Sequence, residues 1–373
     1  SFSSGISHPV YPPDTTIAET SVLEYMTMPE SELERLITEE GGTGTNVTMR
    51  QVTYRMANLY HKTGKDEYAD RAVLLLERFA LVVGSWPMRD RHGVSTPLEE
   101  VDWGDWANGG LWGDWHHEDL KRSHQLVLAY DLLVDSGAME RRGAETRETI
   151  EVDLLRYLAE FNLRGNHLLR VHDPQPDGRA PFDFSNMGGS RIEGLIPFGL
   201  AFDPGYIHLI VKWLRAYPSV VFFRDGVWHE TSPSYHEQIT ERVGRGLPKQ
   251  LRGYSDPPGY VHPAYGTRID DLDIEAGLES QFARIRGAME HLTLPNDSLL
   301  ALHDAHSHGR SWHVERDTSE SYCYFGMRHA VLGRFSGGDQ VQTHLHFGGA
   351  AGHEHYDCLN LMLWALGGEL LSD

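Results

Sequence analysis

The chain has 373 residues, 40% of them hydrophobic, enough to bury a sizeable core in one large or two medium domains. Its only two cysteines, Cys323 and Cys358, exclude a disulfide-dense scaffold and a multi-thiolate zinc site, and leave room for one bridge or none. A formal net charge of -21 argues against nucleic acid as a partner, and it requires that any acidic ligand be met by positive charge concentrated in a cleft.

The first residues, Ser1 to Gly5, lack the basic start and apolar run of a signal peptide, so a leader has been removed or never existed. Ser31-Glu32-Leu33-Glu34 reads as a capping box that opens a helix through Leu36 and Ile37. Apolar residues at three- and four-residue spacing predict further helices over Met49 to Lys62, Asp66 to Val83, Glu118 to Val134 and Thr146 to Arg164. The same spacing predicts Tyr206 to Ala216, Tyr235 to Gly246 and Glu275 to Leu292. The apolar stretch Leu195 to Ile210 is broken by Pro197, Asp203, Pro204 and His208, so no membrane span is expected. Helices of this length joined by short loops imply stacked antiparallel hairpins over residues 1–294.

From residue 295 to 373 the pattern turns to strands: Tyr322 to Phe325, His329 to Phe335, Val341 to Phe347 and Leu359 to Leu371, the last folded at Gly367-Gly368. So few strands cannot close a sandwich, and more β-structure is expected beyond the last residue. The expected fold is therefore multidomain, α then β.

Between the helices, Trp103 to His117 carries Trp103, Trp106, Trp112 and Trp115 among glycines and aspartates and ends in His116-His117. Sugar rings stack on exposed indole faces, so Trp112, Trp115, His116 and His117 are candidate carbohydrate contacts; the alternative is a core cluster over a helix end. Histidine is abundant at 22 and clusters at His303, His306, His308, His344, His346, His353 and His355. The glycine-rich run Gly348 to Gly352 delivers His353-x-His355 to the start of an apolar strand, where alternate residues share a side. Two imidazoles so placed suit metal binding, proton transfer, or one of each.

The run Gly352-His353-Glu354-His355-Tyr356-Asp357, with Glu369-Leu370-Leu371-Ser372-Asp373 after it, resembles the G-H-x-H-x-D and E-L-L-x-D signature of heparinase II/III-like and oligoalginate lyases. Asp225-Gly226-Val227-Trp228-His229-Glu230-Thr231-Ser232-Pro233-Ser234-Tyr235-His236 is similar to that family's D-G-x-x-x-E-x-S-P-x-Y-H run, and Phe184-Ser185-Asn186-Met187-Gly188 to its substrate-binding Asn segment. Leu128-Ala129-Tyr130-Asp131-Leu132-Leu133 is a weaker echo of a structural helix. Met187 departs from the oligoalginate lyases, which place a histidine after the Asn.

The resemblance implies an incomplete (α/α) toroid of helical hairpins followed by the start of an antiparallel β-sandwich. It implies a secreted or periplasmic lyase acting on an acidic, uronate-containing polysaccharide. Asn186, Tyr235 and His353 would be catalytic. His355 and Asp373 would hold a structural zinc whose third protein ligand lies beyond the chain end. Arg191 would help Asn186 neutralise the substrate carboxylate, or lie on a helix surface beside Glu193.

Rival readings remain. Asp102, Asp105 and Asp114 offer the paired carboxylates of an α/α-toroid glycoside hydrolase. The tryptophan loop alone would serve a non-catalytic carbohydrate-binding protein. His353-x-His355-x-Asp357 superficially matches metallo-β-lactamase-like hydrolases, but Cys358 stands where those need histidine.

Overall fold

The computed structural model describes residues 5–40, 48–90, 92–101, 109–113, 115–164, 184–305, 321–336, 339–348 and 359–372. It divides into two compact units. One comprises Ser1–Asp183, Ser190–Ile210 and Ser255–Asp270; the other comprises Phe184–Gly189, Val211–Tyr254 and Asp271–Asp373.

The first unit is built on the helices Met49–Thr63 and Asp66–Val83, which pair with each other and with His124–Leu133. Val52, Met56 and Leu59 recur at helical spacing, as do Ala69, Val73, Leu76 and Phe79, and all are fully buried. The predicted helix Glu118 to Val134 is instead three pieces, a 3-10 turn His116–Glu118 and helices Asp119–Arg122 and His124–Leu133. Ser31 lies inside the helix Glu30–Glu40, not at its cap. Thr146 to Arg164 forms as predicted, with a widened π turn at Ile150–Arg156.

A helix that the periodicity did not predict, Asn186–Ala201, contains Pro197 and several glycines. Gly194 and Gly199 explain its packing. A Cβ on Gly194 would lie 2.5 Å from Leu120 Cβ, and one on Gly199 would lie 2.5 Å from Ile207 Cδ1. The glycines accept their helix-propensity cost in exchange for close approach of neighbouring elements.

Asp131, in the segment singled out as a structural helix, is buried and accepts hydrogen bonds from Val10 N (2.9 Å), Tyr11 N (2.8 Å) and His8 Nδ1 (2.7 Å). It pins the N-terminal segment to the core. Asp131→Ala leaves those donors without an acceptor and is expected to cost about 3 kcal/mol. Urea denaturation measures the loss, and an unchanged midpoint refutes the pinning role.

In the second unit, strands β1 (Met88–Arg89) and β2 (Ser95–Thr96) of the first unit have a larger counterpart. Here β3 (Tyr322–Tyr324), β4 (His329–Ser336), β5 (Asp339–His346), β6 (Asn360–Ala365) and β7 (Gly368–Leu371) form an antiparallel sheet in chain order. The β6–β7 turn is Leu366-Gly367, both at positive φ, one residue earlier than the predicted Gly367-Gly368. Tyr324, Met362 and Trp364 of the sheet pack on Ala288 and Leu292, at the end of helix Glu279–His291, and on Leu294, Leu300 and Leu302. Among the described residues no helix is long and apolar enough to cross a membrane.

Candidate functional site

Tyr235 lies in the first turn of helix Pro233–Glu241, which opens with Pro233 at its N-terminal position. The turn before it is strained: Thr231, a β-branched residue, sits at φ 62°, a conformation that only surrounding structure can hold. Its neighbour His236 is wholly buried and fixed from both ring nitrogens. Trp228 N donates to Nδ1 (3.0 Å), and Nε2–H donates to Ile285 O (3.1 Å). These bonds lock the helix start and thereby the half-buried Tyr235 beside it.

Burial raises the Tyr235 phenol above its ordinary value, and the carboxylates of Asp304 and Glu230 push it further the same way. The hydroxyl therefore keeps its proton at neutral pH. Ser234 Oγ donates to Asp304 O (3.2 Å), joining the Tyr235 turn to the His303-Asp304 turn. His303, itself at φ 58°, brings Nε2 to 3.1 Å from His346 Nε2.

His346 ends β5 and is the first of a row. Gln342, His344 and His346 occupy alternate β5 positions and are all buried, while His329 on β4 pairs directly with His346 in the sheet register. His344 Nε2–H donates to Gln342 Oε1 (3.1 Å), which leaves His344 Nδ1 to accept from His329 Nε2–H at 3.1 Å. His329 is held far below the ordinary imidazole range by burial first, and then by the neighbouring His344, His346 and His303. The network is therefore neutral at His329. Sequence reading missed His329, Gln342 and Asp304; a signal for the first was the antiparallel register that sets it opposite His346.

Asn186 opens helix Asn186–Ala201, and its carbonyl accepts from Arg242 Nη1 (3.3 Å), the residue directly after the Tyr235 helix. Its Oδ1 accepts from Met187 N (2.9 Å), so the side-chain NH2 is left to donate elsewhere. Asn186 and the Tyr235 helix are thus tied together in one unit.

The remaining expected contacts lie in the first unit and split. Arg191 is fully buried against His116 Nε2, so the helix-surface alternative is corrected; Glu193 instead pairs with Lys121 at 2.7 Å. Trp112 requires a correction too. Only 8% exposed, it packs edge-on to Trp86, its indole N–H donates to Ser123 Oγ (3.0 Å), and Arg50 lies over its ring at 4.0 Å. Its faces are occupied by protein, so no sugar stacks there. Trp115 and His117 are half-buried, with rings 6.0 Å apart.

His353, His355 and Asp373 lie outside the described residues, as do Asp102, Asp105, Asp114, Trp103, Trp106, His306, His308 and Cys358. Among the described residues no group of three or more His, Cys, Asp or Glu side chains is placed to hold a metal ion.

A solved heparinase III superposes on the whole of this chain with a TM-score of 0.51 at 13% identity, and the chain spans 59% of that protein. The chain shares that fold. At such identity the likeness speaks for the fold alone. A heparan sulfate lyase from Pedobacter heparinus matches over 97% of this chain and 58% of its own, with 14% identity and a TM-score of 0.48. No protein-family model and no curated protein sequence matches the chain.

Proposed function

We propose that the chain is the larger part of a polysaccharide lyase that cleaves a uronate-containing acidic polysaccharide by β-elimination, leaving 4,5-unsaturated uronate ends. The observation that carries this reading is Tyr235: an elevated, protonated phenol on a locked helix start, tied through Ser234 to the His303-Asp304 turn, with His303 meeting the last residue of β5. From Gly348, two residues after β5, five residues of chain lead to His353, a reach of at most about 18 Å. In this reading the helices belong to an incomplete (α/α) toroid and the sheet to the start of a sandwich, and the protein works outside the cytoplasm.

Elimination removes the proton from C5, beside the substrate carboxylate, and expels the oxygen on C4. Asn186 donates to that carboxylate, and such a donor stabilises the enolate-like transition state by roughly 3 kcal/mol. Arg191, the cation expected to assist Asn186, is fully buried against His116 in the first unit and is given no step. His353 takes the C5 proton, the C–H pair becomes the C4–C5 double bond, and the C4–O bond breaks onto oxygen. Tyr235 gives its proton to that leaving oxygen; the raised pKa of the phenol keeps it protonated and so suits it to the acid role. The proton on His353 then returns to the Tyr235 phenolate through solvent, closing the cycle.

A zinc ion held by His355 and Asp373 belongs to the proposal as a fixing point for the His353 loop, and no step is assigned to it. Trp115 and His117 remain proposed sugar contacts; Trp112 and the equally buried His116, whose Nε2 is taken by Arg191, do not.

Incubating the protein with alginate, heparan sulfate, chondroitin sulfate, ulvan and glucuronan, and following ultraviolet absorbance of the unsaturated product, tests the reading. Absorbance rising with one polymer supports it. Reducing ends released with no absorbance would instead identify a hydrolase, and binding with neither product a carbohydrate-binding protein.

A further inference from the structure

A cavity of about 230 Å3 in the second unit is lined by Ser219, Phe222, Phe223, Arg224, Gln281 and Arg284, among others. Drug-sized ligands fill roughly 300–1,000 Å3, so this space fits one charged substituent or one small ring, not a stretch of polymer.

Its walls are set by one turn. Phe223 N donates to Val227 O (2.8 Å) and Gly226 N to Phe223 O (2.9 Å), a three-residue hairpin loop of Arg224, Asp225 and Gly226. Gly226 sits at φ 92°, and a Cβ there would come within 2.4 Å of Arg284 O. The turn therefore rests directly on the backbone of helix Glu279–His291, and two backbones in contact present Arg224 and Arg284 to the same space.

Among the described residues neither arginine has an ion-pair partner and no carboxylate lines the cavity. Asp225, the acid in the turn, is turned away: Oδ2 accepts from Gly326 N (2.8 Å) and Oδ1 from Val227 N (3.4 Å). Ser219 Oγ donates to Gln281 Oε1 (3.3 Å), which leaves the Gln281 NH2 as a further donor. Both guanidinium groups are open to solvent, so an anion reaching the cavity meets two planar donor forks with no competing carboxylate among the described lining residues.

We propose that this cavity is an oxyanion subsite, holding one sulfate or carboxylate group through Arg224, Arg284 and Gln281. That the group belongs to an acidic sugar rests on the lyase reading; anion binding itself does not.

The test is titration calorimetry of the protein at low ionic strength with inorganic sulfate, sodium glucuronate and glucose 6-sulfate as probes. Saturable binding of at least one probe is expected in wild type, weakened at least tenfold in the double variant Arg224→Gln, Arg284→Gln. Both arginines are exposed, and a thermal midpoint unchanged between the two proteins shows the variant is folded. A lysine double variant should recover part of the affinity, since charge remains and the planar fork is lost. No saturable binding of any probe to wild type, or equal affinity in the folded glutamine variant, overturns the subsite. Binding of inorganic sulfate alone overturns the sugar assignment and leaves a free-anion site. An absence of lyase turnover in the wild-type protein with anion binding intact would sink the lyase reading and not the subsite.

Discussion

Tyr235→Phe is expected to lower release of unsaturated uronate by roughly a hundredfold to ten-thousandfold, the range over which a positioned proton donor contributes. Phenylalanine keeps the ring and the helix start, and removes only the hydroxyl that burial, Asp304 and Glu230 keep protonated. Without it the C4 oxygen departs as an alkoxide. The loss should fall on kcat, with KM and polymer affinity nearly unchanged, because the hydroxyl acts in the transition state and not in ground-state binding. His353→Ala should match it in size for the opposite reason, the C5 proton having no acceptor. The two losses should not add, since each residue is useless without its partner. Turnover unchanged in both variants would remove the assignment, and equal loss of affinity would make both residues structural.

The second large effect is on stability in mild acid. His236 is wholly buried, and burial lowers it to about 4, while its Nδ1 is committed to accepting from Trp228 N. His329 is depressed in the same direction. In the unfolded chain both take up protons near the ordinary value of about 6.5; in the native state they refuse them until far lower. The unfolded state thus binds more protons between these limits, so stability is full above about pH 6.5 and is lost as pH falls toward the depressed values. His236 alone accounts for about 3 kcal/mol of that loss. Urea unfolding followed from about pH 7 to about pH 5 isolates the histidines, because carboxylates titrate mostly below that window. His236→Gln should flatten the slope. A stability independent of pH across this window would mean the imidazoles are protonated in the folded protein.

The hairpin Met49–Thr63 and Asp66–Val83 was legible because its buried residues follow one period and its core is apolar. Where the interior is polar, the same rule misleads. Along β5 the buried positions are Gln342, His344 and His346, while Leu345 and, just past the strand, Phe347 are 36% and 38% exposed. Hydrophobic alternation would turn that strand over. What holds the histidines inside is, beside the local bond from His344 to Gln342, their pairing with His329 and His303, residues distant in sequence that a local window does not contain.

The helix Asn186–Ala201 was illegible for a related reason: its glycines and Pro197 argue locally against a helix, and the neighbours that favour them, Leu120 and Ile207, are unknown until the chain is folded. Trp112 failed in the other direction. Glycines and aspartates around it predicted a loop, correctly, but a loop can still feed an indole into a core, here beside Trp86 and Phe79. Tyr235 was singled out by an extended motif run and Asn186 by a shorter one. Their support, Ser234 on Asp304 and Arg242 on Asn186, came only with the structure.

The path of the chain through its two units bears on how the protein can be dissected. Residues 184–189, 211–254 and 271–373 build one unit, while 190–210 and 255–270 return to the other. A scission after Leu294, where helices give way to strands, would divide the second unit and not release it. Neither unit is a contiguous stretch that a shortened gene could encode. Synthesis must run past Asp270 before the first is complete, so folding waits on contacts made late and at long sequence separation.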